Sequence, residues 1–151
     1  MSPFSSRFPD LGPRETRMLI LPYPQGGLPA GRFGLLELYC IDLACDCRRV
    51  LLQVAAEDEP DKILATINYG WETLAFYTKW MHGDRASARE ILEASLDPLN
   101  PQTNYAAGFL RIFQTVVLQD MAYIKRLERH YNLFKGSLSS NAPRTLPTDS
   151  N

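Results

Sequence analysis

All three cysteines of this 151-residue chain fall inside one eight-residue run, Cys40-Ile-Asp-Leu-Ala-Cys45-Asp-Cys47. Apolar segments flank the run on both sides, Arg32 to Cys40 before it and Arg48 to Ala55 after it. The chain must therefore bring two strands up to a polar turn that carries three thiols. In an extended strand alternate side chains share a face, so Cys45 and Cys47, two apart, project together. Cys40 closes the preceding strand, and the four residues before Cys45 suffice to turn the chain back. Three sulfurs meeting at a hairpin tip are hard to explain as core filler. They suit a soft metal ion, Zn2+ above all, held at about 2.3 Å. A redox-active thiol set and unliganded structural cysteines are the competing readings.

Structural zinc sites are four-coordinate, and the chain has only three thiols. Two histidines are available. His130, on the last predicted helix beside its sheet-facing stripe, is the favoured fourth ligand, because a helix-borne ligand would tie the helices to the sheet. His82, in a break between helices, is the alternative, with Asp42 and Asp46 as local fallbacks and a second chain or water beyond them. Three cysteines and a water would make an open site, the starting point for a zinc-dependent hydrolase. However, no His-x-Glu stands upstream to serve as the acid/base of a zinc deaminase. Phosphate-cradling glycine loops, a Gly-x-Ser-x-Gly elbow and His-Glu-x-x-His are also missing from the sequence.

The first half reads as strands and the second as helices. Arg17 to Leu21, Arg32 to Cys40, Arg48 to Ala55 and Ile63 to Tyr69 are apolar or alternating runs separated by breakers such as Pro22-Tyr-Pro24-Gln-Gly26-Gly27. Short connections favour antiparallel neighbours, so the expected sheet is a meander of about four strands. From Trp71 to Met81 apolar residues recur at helical spacing. Arg85 to Ala94 is a second helix with Asp84 as its N-cap. A long helix is predicted from about Thr103 to Phe134, its stripe being Phe109, Phe113, Val116, Val117, Asp120, Ile124, Leu127, Tyr131 and Phe134. A break near Gln119 would instead put Asp120 in a turn. The expected class is α+β, an antiparallel sheet covered by two or three C-terminal helices. Residues 1–13 and 136–151, rich in Pro, Ser and Thr, are expected to be loose, leaving one zinc-binding domain over 14–135.

A net charge of -1 gives no bulk attraction for nucleic acid or anionic lipid. Binding must come from a local face, and the candidates are Arg48, Arg49, Lys125, Arg126 and Arg129. A protein partner is expected first, with nucleic acid the alternative through the basic last helix; a homo-oligomer is left open. No apolar run reaches the length of a membrane span and the N-terminus lacks a signal-peptide core, so no membrane partner and a cytoplasmic location are expected. Thiols there stay reduced, which favours metal binding over disulfides.

Tyr39-Cys-Ile-Asp-Leu-Ala-Cys-Asp-Cys-Arg-Arg-Val50, with Ala65-Thr-Ile-Asn-Tyr-Gly-Trp-Glu72 and Leu96-Asp-Pro-Leu-Asn-Pro-Gln102, resembles a family of uncharacterised bacterial proteins. Some longer relatives look as though they add a C-terminal zinc motif of the SEC-C type, which this chain lacks. The resemblance covers most of the expected body and implies a bacterial or phage-associated setting, with no activity attached. The function expected is that of a small, non-enzymatic accessory protein, braced by zinc, that binds another macromolecule.

Overall fold

The alternating runs become antiparallel strands in a computed structural model of the protein, which describes residues 1–140. In chain order the strands are β1 (Ser2–Pro3), β2 (Arg17–Leu21), β3 (Gly31–Tyr39), β4 (Arg49–Ala56), β5 (Glu59–Gly70) and β6 (Ser95–Leu96). The helices are α1 (Leu11–Glu15), α2 (Leu74–Trp80), α3 (Arg85–Glu93), α4 (Ala106–Thr115) and α5 (Met121–Ser140). Strands β2 to β5 form the expected meander, and the two-residue strands β1 and β6 are added to β3 and β5. The fold is α+β.

Register fixes which face is the core. Leu35 pairs with Val54 and Val54 with Ala65, while Glu37 pairs with Leu52 and Leu52 with Ile67. Because side chains alternate, Phe33, Leu35, Glu37 and Tyr39 share one face with Val50, Leu52, Val54, Ala65 and Ile67. Helices α4 and α5 cover that face. Phe109 meets Phe33 edge-on with ring centroids 4.9 Å apart, Phe113 meets Tyr69 at 5.6 Å, and Phe134 packs on Tyr39 at 5.7 Å. Each such ring contributes about 1.5–3 kcal/mol by leaving water.

The single long helix read from the sequence is two helices, parted by a tight turn at Val117–Gln119. Asp120 is the reason. Its Oδ1 accepts from the Tyr123 N–H at 3.2 Å, and its other oxygen faces Arg17 Nε at 3.4 Å. A short acid that can bond a backbone amide three residues on starts a new helix rather than continuing the old one. The break turns Val116 out to solvent, whereas Phe109, Phe113, Val117, Ile124, Leu127, Tyr131 and Phe134 are buried as the stripe required.

Helices α2 and α3 take the other face of the sheet. Thr73 and Asp84 cap them, accepting from the amides of Phe76 and Ser87. They meet the sheet where Gly70 leaves room: a Cβ there would run into Tyr77 and Ile91. Tyr77 is fully buried, and its hydroxyl donates to the Arg48 carbonyl at 2.6 Å. The helices expected to form one covering layer thus form two.

The first thirteen residues, expected to be loose, are seated on this body. Ser2 and Pro3 pair with Tyr39 and Leu38, and Phe4 is buried against the His130 ring at 4.1 Å. Composition suggested looseness because it counts prolines and serines; two phenylalanines, Phe4 and Phe8, stacked at 4.7 Å, outweigh them. At the other end α5 runs past the expected boundary at Lys135 and buries Leu138. Residues 141–151 of the expected tail lie outside the described residues.

Gly70→Ala is expected to destabilise the protein by about 1–3 kcal/mol through overpacking against Tyr77, read as a lower denaturant midpoint with unchanged slope. A second expectation concerns alkali. Burial first, and then the nearby Glu37 charge, hold the Tyr39 and Tyr123 hydroxyls well above their ordinary value. The unfolded chain sheds these protons from about pH 10 while the fold retains them, so stability must fall as pH rises past that point. Thermal melts across the range check it; a flat profile above pH 10 would contradict the burial of these phenols.

Candidate metal centre

The loop between β3 and β4, residues 40–48, is built from both ends inward. Cys40 directly follows Tyr39, whose single hydroxyl proton is shared between Glu37 Oε2 at 2.8 Å and the Leu127 carbonyl of α5 at 3.1 Å. At the far end the Arg48 N–H donates to Tyr131 Oη at 3.3 Å, while the Arg48 carbonyl is held by Tyr77. Arg48 has φ of +45°, a backbone state unfavourable for a side chain of this kind. Bonds on both its amide and its carbonyl keep it there. Between the ends a turn closes from the Cys45 N–H to the Asp42 carbonyl at 3.2 Å; Asp42 Oδ1 accepts from the Ala44 N–H at 2.9 Å, and Lys135 of α5 bonds the same Asp42 carbonyl.

This turn gathers the sulfurs. The Sγ atoms of Cys40, Cys45 and Cys47 all lie within 4.8 Å of one another, and all three are free thiols. Three points that close share a centre within about 2.8 Å of each, so a contraction of about half an ångström reaches zinc–sulfur length. Cys45 and Cys47 lie in the loop rather than on a paired strand, so the turn, and not strand alternation, brings them together. Cys47 is buried, with Cys40 and Cys45 partly covered.

The charge on the cluster is unevenly shared. Burial works to raise the Cys40 thiol, but the Asp42 amide, the Cys45 thiol and the Lys135 charge together hold it below the ordinary value. Burial, and then the charges of its cysteine neighbours, push Cys45 up to about 11. An ion that supplies positive charge at the centre would release the proton that Cys45 retains.

The fourth ligand expected from the sequence is placed elsewhere. His130 is buried on the core face, its Nδ1 2.7 Å from Glu37 Oε2 and its Nε2 2.8 Å from Glu15 Oε2. With both nitrogens on carboxylates it has no free nitrogen to offer an ion at the cysteines. The alternative, His82, is exposed in the turn between α2 and α3. Asp46 is engaged at both oxygens by Arg48, each contact 2.9 Å. Among the described residues, no histidine or carboxylate joins the three sulfurs.

The candidate binding face also resolves into separate contacts. Arg48 pairs with Asp46 and Glu72 and lies over Phe76, and Arg49 donates to Asn68 and lies over Trp80. Arg126 donates to the Glu15 carbonyl and Arg129 to its carboxylate at 2.6 Å, leaving Lys125 exposed. Burial raises the Glu15 carboxyl, but His130 and Arg129 outweigh it and hold the group below the usual range.

The network Tyr39, Glu37, His130, Glu15 is the feature that sequence reasoning missed. It had a signal: Glu37 interrupts the inward series Phe33, Leu35, Tyr39, and His130 follows Leu127 by three and precedes Phe134 by four. A polar pair at two core positions marks a buried partnership. No family model, curated protein or solved structure matches the chain.

Removing the His130 imidazole leaves Glu37 buried with the Tyr39 hydroxyl as its remaining partner. His130→Ala should therefore cost about 3–5 kcal/mol in stability yet leave the metal content per folded chain unchanged, measured by elemental analysis alongside thermal melts. Because the thiols must lose protons to bind, zinc affinity should fall by about tenfold or more for each unit that pH drops below 8. Competition titrations with a chromogenic chelator test this sign; affinity that rises on acidification would exclude thiolate ligation.

Proposed function

We propose that the protein is a zinc-binding accessory protein, non-enzymatic, in which the ion shapes the 40–48 loop for contact with a protein partner. The observation that carries this reading is the mutual approach of three sulfurs within 4.8 Å at the tip of one hairpin. A reducing compartment, in keeping with the proposed cytoplasmic location, would keep these thiols available for a metal.

The same loop carries Ile41 and Leu43, exposed at 58% and 59%. Large aliphatic side chains on a loop whose shape depends on an ion are suited to meeting an apolar surface. Nucleic acid is the weaker alternative, because Arg126 and Arg129 of the basic helix are already bonded to Glu15. The fourth position on zinc would go to water or to a donor from the partner, since the local side chains are engaged elsewhere.

Protein purified without an affinity histidine tag should hold one zinc per chain. Chelation should expose the loop to chymotrypsin at Leu43, within the stretch between its fixed ends, while the sheet stays protected. Less than about a tenth of an equivalent of zinc after growth in zinc-supplemented medium, or identical digestion with and without chelator, would end the proposal.

A further inference from the structure

The donor count at the cysteine loop points beyond zinc. A tetrahedral ion held by Cys40, Cys45 and Cys47 still needs a fourth ligand, and the structure holds His130, Asp46 and Asp42 Oδ1 in other engagements and leaves His82 exposed in the α2–α3 turn, outside the group of three sulfurs. An ion that asks for three sulfurs and no more would be fully satisfied here. Trivalent arsenic is such an ion: it is thiophilic, forms three bonds in a pyramid, and keeps a lone pair where a fourth ligand would stand.

Charge favours the same match. Three thiolates around Zn2+ leave a net negative centre, and burying net charge is costly. Three thiolates on As(III) make a neutral one. Cys47 is buried, and Arg48 is committed to Asp46 and Glu72, which leaves the Lys135 ammonium on the Asp42 carbonyl as the nearby charge to offset it. A neutral complex needs no further compensation in this position.

We propose that the three thiols capture trivalent arsenic, presented as arsenous acid, in a three-sulfur complex. This rests on the three-thiol site above but not on its taking zinc. Three As–O bonds break and three As–S bonds form. Each thiol proton leaves with a hydroxide as water, and arsenic stays trivalent, so no oxidant or reductant is needed. The loop ends are already fixed by Tyr131, Tyr77 and the Tyr39 contact to α5, so the sulfurs need little ordering to close on the ion.

The test titrates reduced, metal-free full-length chain with sodium arsenite, and in parallel with zinc. The expected result is one arsenic per chain, disappearance of all three thiols towards an aromatic disulfide reagent, and a native mass that gains one arsenic and loses three protons. Cys40→Ser, Cys45→Ser and Cys47→Ser should each weaken arsenite binding by about tenfold or more, since each removes one of three linked bonds. Circular dichroism identifies the variants that fold; the partly covered Cys45 decides the matter if the buried Cys47 variant does not. A complex that retains one free thiol and an As–OH group overturns the proposal, as does absence of arsenite binding. Zinc bound without arsenite overturns this inference and leaves the zinc reading standing, whereas arsenite in the three-sulfur mode without zinc does the reverse.

Discussion

A carboxylate buried on the sheet and an imidazole buried on the longest helix set how the two layers meet. Glu37 sits on the core face of β3, where an unpaired charge would be prohibitively costly, and its Oε2 receives both His130 Nδ1 at 2.7 Å and the Tyr39 hydroxyl at 2.8 Å. Only one axial position of α5 supplies that partner. On its other side His130 reaches Glu15, which draws in Arg126 and Arg129 and so secures the N-terminal segment. Both ring nitrogens face carboxylate oxygens. Apolar burial holds α5 against the sheet; this pairing specifies where along the sheet it lies.

The placement of the cysteine loop follows from that position. Leu127, Tyr131 and Lys135 are spaced four apart on α5, one above another on a single face. In that order they hold Tyr39 before the loop, the Arg48 amide after it and the Asp42 carbonyl within it. The sequence assigned the tie between helix and loop to a histidine on the metal. The structure makes that tie with a carbonyl, a phenol and an ammonium group, none of which needs an ion.

What the sequence disclosed was periodic and local. The four long strands, the capped helices α2 and α3, and the buried stripe through Phe109, Phe113, Leu127 and Phe134 were legible because period and capping are written in neighbouring residues. The approach of the three cysteines was legible from their spacing, although the turn from Asp42 to Cys45, and not the strand alternation expected, gathers them. The role of His130 was not. It depends on Glu37, 93 positions away, and on the imidazole being drawn to acids rather than sulfurs. Likewise the seating of Phe4 on His130 is decided by a site that exists only once α5 has docked, which composition does not register.

Anchoring of the loop apart from the ion divides the protein into two regimes. The sheet, the helices and the Glu37–His130 pairing are held by apolar burial and by polar contacts remote from the sulfurs, so an ion adds little to their cohesion. Residues 41 to 46 bury little apolar surface, since the side chains of Ile41 and Leu43 are largely in solvent. An ion closing on three sulfurs therefore orders this short stretch alone, at a small entropic cost, because both ends are already fixed. The consequence of an ion binding there would be local in shape and exposed at the surface. That is the arrangement expected of a site that presents its metal-bound loop outward, rather than one that uses the metal to hold a fold together.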